Sequence, residues 1–423
     1  AAQIRGEVRR ATGSMTSLDL KASRPLMKLD GGDLALALGA ELRREKQKYH
    51  QSDALAQDLI LGETSQGTAA DFGKSRQVSA LFAEVSAPVS KQLELQAALR
   101  YERYQVSGGA FSPKLGLRYT PSKELLLRAS VGAGFRAPSM SDLYRPVTEG
   151  TAATLVDPVC MAADPANTVT DCSDTWTTLN YSNNKLKPEK SRQFSMGVVF
   201  EPARDMSVSL DYWNVEKRDL ISTLGVDVIL ANLGKYGNLV HRDADGVIEA
   251  IDLVKENRGR QKISGLDLNV GVSRIASPIG LLGLRLNGTL TLQSKQQTGD
   301  GDPYVSNLGR FINDGVVQRW RHSLALDWSQ GAFGATLSNT HLSGYKDQLI
   351  VGKADRSVGA YSLWDLTASW TVNKAITLRG GVFNLFDKAP PYSQQAWFFL
   401  SGYDPSYTDP RGRRFQLSGS YVF

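Results

Sequence analysis

The sequence predicts an all-β protein, a transmembrane antiparallel β-barrel of about sixteen strands. Three observations predict it. Apolar and polar residues alternate with period two, segment after segment, along the chain. The connections between those segments come in two alternating lengths, tight turns and long polar spans. No run approaches about 18 consecutive apolar residues, which excludes an ordinary transmembrane helix but not a membrane crossed by strands.

Taken in chain order, Leu34, Leu36, Leu38, Ala40 and Leu42 alternate with Ala35, Ala37, Gly39, Glu41 and Arg43. After the "VSKQ" turn, Leu93, Leu95, Ala97, Leu99 and Tyr101 oppose Glu94, Gln96, Ala98, Arg100 and Glu102. Leu125, Leu127, Ala129, Val131, Ala133 and Phe135 oppose Leu126, Arg128, Ser130, Gly132 and Gly134. The pattern returns at Met206 to Trp213, at Trp364 to Trp370, and at the end, where Phe415, Leu417, Gly419, Tyr421 and Phe423 oppose Arg414, Gln416, Ser418, Ser420 and Val422. Each apolar face is long enough to cross a hydrocarbon layer at a tilt, which takes about 9 to 11 residues. A soluble sandwich or propeller would show the same alternation, so the connections decide. "KLDGGD", "APVSKQ", "TPSKE", "EPARD", "IASPIG", "SQGAF" and "TVNKA" are tight; residues 48–74, 137–188, 298–315 and 385–410 are long and polar. Short turns on one rim and long loops on the other are the habit of outer-membrane barrels, periplasmic and extracellular respectively.

The turns then set the strands. Seven hairpins are expected: 14–25 with 33–47, 75–88 with 92–106, 111–120 with 124–136, 189–201 with 205–218, 261–274 with 280–296, 317–328 with 331–344, and 359–371 with 375–384. A last strand covers 412–423, and residues 1–9 supply the end of another. Residues 219–260 read as a short helix at "DVILANLGKYG" followed by a small hairpin at "RDADG".

Composition agrees. The chain has 423 residues, 41% of them apolar, with 39 glycines, 14 Phe, 15 Tyr and 7 Trp, which suit strands and turns better than packed helices. Its 49 Lys and Arg exceed its 43 Asp and Glu, but the charges are interleaved, whereas a nucleic-acid binder would gather them in one patch. The sequence opens on Ala, with neither an initiator Met nor a charged-plus-apolar leader, so a mature or cut fragment is expected over a complete gene product.

Four segments in order carry a family resemblance: "SVGAGFRAPSMSDLY" (130–144), "NKLKPEKSRQFSMGVVFEP" (184–202), "GVFNLFDKAPPY" (381–392) and the terminal "RGRRFQLSGSYVF". The chain resembles the C-terminal part of the barrel of TonB-dependent outer-membrane receptors. The resemblance implies a 22-strand barrel, an inner plug and an energy-coupling box, of which the plug, the box and roughly six strands have no match here. A fragment or processed receptor is therefore expected over an independent pore, because the retained strands would otherwise leave two open edges in hydrocarbon. The implied function is energised uptake of a scarce nutrient across the outer membrane of a Gram-negative bacterium, with a ferric siderophore as the default ligand. Implied partners are outer-membrane lipid and lipopolysaccharide, the TonB complex through the missing region, and the barrel assembly machinery, for which Phe423 resembles the terminal signal. A passive porin and a structural or adhesin-like barrel are the alternatives.

Candidate site residues divide by environment. Glu41, Arg43, Glu94, Arg100, Glu102, Arg128, Asp365 and Arg379 fall on the polar face, where they either meet a plug or cross-brace the wall. Tyr144, Trp176, Tyr181, Tyr392, Trp397, Phe398, Phe399, Tyr403 and Tyr407 fall in the long loops, where they either meet a ligand or pack the loops. Cys160 and Cys172 stand in the 137–188 span; their number and setting point to a disulfide, and no His in that loop supports the competing thiol site. Such a bridge would restrict the loop by about 3 kcal/mol. Enzyme readings find little: His50, His241, His322 and His341 lack metal-ligand spacing, no GxSxG elbow occurs, and "GAGFRA" is not a GxGxxG loop. "HRDADGVIE" opens like a calcium loop but lacks the full ligand ladder and reads as a turn. No cofactor or metal is expected.

Overall fold

The computed structural model describes residues 6–57, 59–60, 71–152, 154–163, 166, 168–299, 301–312, 315–350, 354–395 and 402–423. One antiparallel sheet of sixteen strands runs through the chain, and fifteen of them follow one another in sequence order. These are β1 (Arg9–Leu29), β2 (Gly32–Gln51), β3 (Phe72–Pro88), β4 (Leu93–Tyr104), β5 (Gly108–Tyr119), β6 (Leu125–Arg136), β7 (Glu189–Ala203) and β8 (Met206–Ser222). The series continues with β9 (Glu256–Ser277), β10 (Gly280–Gln297), β11 (Trp320–Gln330), β12 (Phe333–Leu342), β13 (Tyr361–Thr371), β14 (Ile376–Phe383) and β15 (Arg414–Tyr421). The sixteenth, Val305–Ser306, pairs only with the end of β10.

Register turns the alternating sequence into two continuous faces. Leu38 lies opposite Ala83, and Ala83 opposite Leu99. On the other face Glu41 lies opposite Ala80, and Ala80 opposite Glu102. A slip of one residue would exchange the two sets, so the pattern itself fixes the pairing. Leu42, Leu81 and Leu115 remain 61%, 63% and 59% exposed, an uncovered apolar band far larger than a water-facing sheet tolerates. Phe82 lies over Gly39 on the polar face, where a Cβ on the glycine would stand 2.2 Å from the ring. No helix among the described residues is long and apolar enough to cross a membrane.

The seven short turns fall on one rim, as the sequence implies. Gly280 in the β9–β10 turn has φ 117°, and a Cβ there would meet the Ser329 carbonyl at 2.4 Å, so that turn needs glycine. On the long-loop rim, β4 and β5 are joined by three residues only, an exception to the two-length rule.

Several boundaries move. Of the strand end expected at 1–9, residues 1–5 lie outside the described residues, Gly6 to Val8 form no strand, and Arg9 opens β1. The ladder from Arg9↔Gln51 to Gly13↔Gln47 continues where apolar alternation has already stopped. At 21, 20 and 22 residues, β1, β2 and β9 run well past the length a membrane requires, and polar side chains pair there as readily as apolar ones. Conversely β11, β13 and β15 begin at Trp320, Tyr361 and Arg414, two or three residues late, and β15 ends at Tyr421. Phe423 lies beyond the ladder, fully exposed, with its ring edge-on to Tyr421 at 5.0 Å. The unsettled 219–260 stretch holds helices Val226–Ala231 and Leu233–Tyr236 and a hairpin turning at Asp243 to Gly246. The Asp243 carboxylate accepts the N–H groups of Asp245 and Val247, so "RDADG" is a turn closed by its own side chain.

Among the described residues β1 pairs only with β2, and β15 only with β14. The sheet therefore ends in two unpaired edges instead of closing on itself.

Candidate functional site

The polar face is braced by its own charges. Arg43 donates to Glu41 at 2.5 Å and to Glu45 at 2.8 Å; Arg100 donates to Glu41 and to Glu102, both at 2.6 Å. Tyr104 and Arg76 extend the chain through Glu102 and Glu45. Arg128 forms a two-point pair with Asp211 at 2.7 and 2.8 Å, Asp365 accepts the Asn384 N–H, and Glu94 accepts from Gln96. Arg379 donates to Ser420 at 3.4 Å. It also lines a depression of about 690 Å³ on this face, with Arg285, Asp327, Thr367 and Gln416. All eight residues expected on the polar face lie on it, and most are held by a neighbour on the same face.

Two loops that are remote in sequence fold together on the long-loop rim. Strands Thr148–Thr151 and Thr177–Tyr181 from the first combine with Val240–Arg242 and Ile248–Val254 from the second into a four-stranded sheet, with Thr177–Tyr181 parallel to Ile248–Val254. Its core is Trp176, Leu224, Ile229, Leu230, Ile248 and Ile251. Trp176, expected to meet a ligand, is only 6% exposed in that core; it packs the module and offers no face to an incoming molecule. Cys160 and Cys172 form a disulfide with their Cα atoms 5.6 Å apart. Arg242 ties the disulfide segment down through a two-point pair with Asp157 at 2.6 and 2.8 Å. Burial works against ionisation of Asp157, but the Arg242 pair and the Val159 N–H outweigh it and hold the carboxyl below its ordinary value.

A second loop cluster is built on buried acids. Asp347 accepts the Ser393 hydroxyl and the Gln394 N–H, both at 2.7 Å, and Asp404 accepts the Tyr345 hydroxyl at 3.1 Å. Burial, with Asp404 alongside, pushes the Tyr345 phenol well up. Tyr407 donates to the Val316 carbonyl, so its hydroxyl is spent on the loop. Arg411 beside Asp409 holds that carboxyl at about 2. Tyr392 is 53% exposed with the Arg356 guanidinium 4.5 Å from its ring centre, and Tyr403 is half-buried. Tyr144 and Tyr181 are half-buried at the first module, Tyr144 beneath Lys74. Trp397, Phe398 and Phe399 lie outside the described residues. Of the described loop aromatics, Trp176 and Tyr181 belong to the first cluster and Tyr392, Tyr403 and Tyr407 to the second.

Sequence reading missed the clamp between strand ends. Arg136 donates to both oxygens of Glu189, at 2.8 and 2.5 Å, and Glu189 also accepts the Ile221 N–H. Asp142 caps the short helix Met140–Tyr144 through a capping box with Ser139 and pairs with Lys255. Burial opposes ionisation of Asp142, and Lys255 and Ser139 overcome it, so its carboxyl is held low. "GFRAPSMSD" and "KPEK" hold these residues, but nothing in either string says that Arg136 answers Glu189. Among the described residues no three His, Cys, Asp or Glu side chains are placed to hold a metal.

Residues 8–385 match the family described as TonB dependent receptor-like, beta-barrel. The ferrienterobactin receptor of Escherichia coli strain K12 is 23% identical over 367 residues, 84% of this chain and 43% of that protein. The ferric enterobactin receptor PirA of Pseudomonas aeruginosa is 23% identical over 404 residues, 92% of this chain and 47% of that protein. The chain thus spans about half the length of the curated relatives it matches. Among solved structures, the siderophore receptor PirA from Acinetobacter baumannii superposes with a TM-score of 0.68 at 16% identity, over 98% of this chain and 55% of that one. A Pseudomonas aeruginosa ferric enterobactin receptor mutant in complex with enterobactin superposes with a TM-score of 0.69 at 19% identity, over 98% and 55%.

Proposed function

Because this chain belongs to the TonB-dependent receptor β-barrel family, a multi-pass family of the outer membrane, we propose that it forms the C-terminal part of a receptor for energised nutrient uptake. The observation that carries this reading is the two-faced sheet: an uncovered apolar band on one side, a braced polar wall on the other, and folded loops on a single rim. The polar wall, including the Arg379 depression, faces a plug, and a ferric siderophore is the ligand. Enterobactin receptors among the relatives support that choice. The ligand meets Tyr392 and Tyr403 at the terminal loops and Tyr144 and Tyr181 at the first module, with Arg356 and Lys74 supplying positive charge beside two of these rings. The reading involves transport without covalent chemistry.

The test is uptake by an iron-starved Gram-negative strain lacking its own siderophore receptors and carrying this chain in its native gene. Saturable growth on ferric enterobactin, lost when the TonB partner is deleted, is expected. Saturable uptake of cobalamin or a maltodextrin instead would replace the ligand and keep the mechanism. Unsaturable uptake that persists without the partner would replace the receptor with a passive pore.

A further inference from the structure

The first loop module carries a diagonal of titratable side chains on the face turned away from its core. His241 lies opposite Ala250, Asp252 stands two residues beyond Ala250 and opposite Leu179, and Tyr181 stands two residues beyond Leu179. Alternation puts all three on one face, with Ile251 fully buried on the other. His241 Nε2 lies 3.0 Å from Asp252 Oδ2, and the His241 side chain is 49% exposed. Burial and the neighbouring Asp252 push the Tyr181 phenol up, so it stays protonated beside the carboxylate. Asp252 Oδ1 is buried and accepts no hydrogen bond among the described residues.

That carboxylate lacks the usual compensation. Among the described residues no Lys or Arg pairs with it: Lys255 is committed to Asp142, and Arg242, next to His241 in the chain, to Asp157. Glu149, opposite Leu179 on the next strand, adds a second negative charge to the same face. A partly desolvated carboxylate beside an imidazole nitrogen is an arrangement that a cation completes. The contact of His50 with Asp71 differs, because Arg10, Lys46 and Lys48 share the groove of His50 and repel a cation.

We propose that His241 Nε2 and Asp252 Oδ2 bind a divalent transition-metal ion, Cu2+ above others, on the exposed face of the loop module, with Tyr181 as the positioning hydroxyl beside Asp252. An ion about 2.1 Å from each atom subtends about 90° between two donors 3.0 Å apart. One nitrogen and one oxygen at a right angle are adjacent corners of a tetragonal set, the geometry of Cu2+, which also heads the affinity order of the divalent ions. Tetrahedral Zn2+ would need the donors further apart. Water fills the remaining positions, which the exposed side of His241 leaves open. The bound ion ties the edge strand Val240–Arg242 to Ile248–Val254. The inference goes beyond the uptake reading and does not depend on it.

The experiment uses the chain expressed from its native gene, purified in mild detergent through a tag without histidine, and titrated with Cu2+ alone. One bound ion per chain is expected, with the electron paramagnetic resonance signature of a single imidazole nitrogen. Y181F is expected to weaken binding about tenfold, as loss of an outer hydrogen-bond partner does, and H241A and D252N more than that. Equal affinity of wild type, H241A and D252N overturns the proposal, as does a nitrogen signature that survives H241A. Tighter binding of Zn2+ than of Cu2+ overturns the tetragonal assignment. A measurement on the wild type alone guards against variants that fail to fold: Cu2+ should shield His241 from modification by diethyl pyrocarbonate, read by mass spectrometry, while His50 stays reactive. Unchanged modification of His241 at saturating Cu2+ refutes the site.

Discussion

Glu189 is a carboxylate whose three bonds join three parts of the chain: Arg136 from the end of β6, and the N–H of Ile221 near the end of β8. Replacing Glu189 by Ala leaves the Ile221 N–H unpaired and the Arg136 guanidinium with only Asp142, at 3.8 Å, which costs about 1–3 kcal/mol. With the Arg136 side chain 53% exposed, the lower part of that range is expected. Thermal unfolding in detergent measures it, with the exposed Glu201→Ala as control; equal midpoints for the two would deny the clamp. Asp157 gives a pH prediction. Its folded carboxyl titrates below the unfolded one, so its stabilisation is fully present above the ordinary carboxylate range, near pH 4, and is lost as pH falls through the lowered folded value. Protease cutting of the disulfide segment should therefore rise in acid below about pH 4, and Asp157→Asn should flatten that dependence by weakening the loop at neutral pH as well. At this scale the sequence was legible where partners are close in the chain, as with Cys160 and Cys172, and illegible where they are not. Trp176 reads as an exposed loop aromatic until Ile229 and Ile251, more than fifty residues away, close over it.

Strands were legible because a membrane imposes the same test on every one of them: apolar outward, anything outward of the band polar, period two throughout. What that test cannot locate is where a ladder stops, since Arg9 to Gly13 pair without any apolar pattern to announce them. Loop folds were illegible for a related reason, because the module's parallel pairing of Thr177–Tyr181 with Ile248–Val254 joins two separate loops. The last strand tests the facing. Phe415 and Leu417 are 77% and 84% exposed on one face, with Gln416 and Ser418 on the other. Lys at Phe415 or Leu417 should cost up to about 2–4 kcal/mol, depending on depth in the bilayer, whereas Lys at Gln416 or Ser418 should be tolerated. The yield of heat-modifiable protein in the membrane measures this, and equal losses on both faces would reverse or abolish the assignment. Reduction of the Cys160–Cys172 bridge should leave that yield unchanged while loosening a loop constraint of about 3 kcal/mol, read as faster cleavage between residues 157 and 175.

For the whole molecule, the decisive feature is two edges that do not meet. Among the described residues each internal strand has a paired neighbour on both sides, but β1 and β15 have one each. In water a bare edge invites aggregation; in hydrocarbon every unpaired backbone group costs several kcal/mol, which no lipid contact offsets. The same edges carry Leu18, Leu20, Phe415 and Leu417 on their apolar face, so lipid cannot be avoided by tilting them into solvent. The sheet must therefore close, either on itself by moving β1 against β15 or on further strands, as in relatives of about twice its length. We propose that further strands supply the closure. The sheet already follows larger receptor barrels over 98% of its length, and self-closure would require every strand to change its angle to the next. Residues 1–423 refolded alone into lipid vesicles should give oligomers or unfolded chain, without a heat-modifiable monomer. A discrete monomer, with a cysteine pair at Ser17 and Gln416 cross-linking efficiently, would show that β1 and β15 close on each other and that the smaller barrel is self-sufficient.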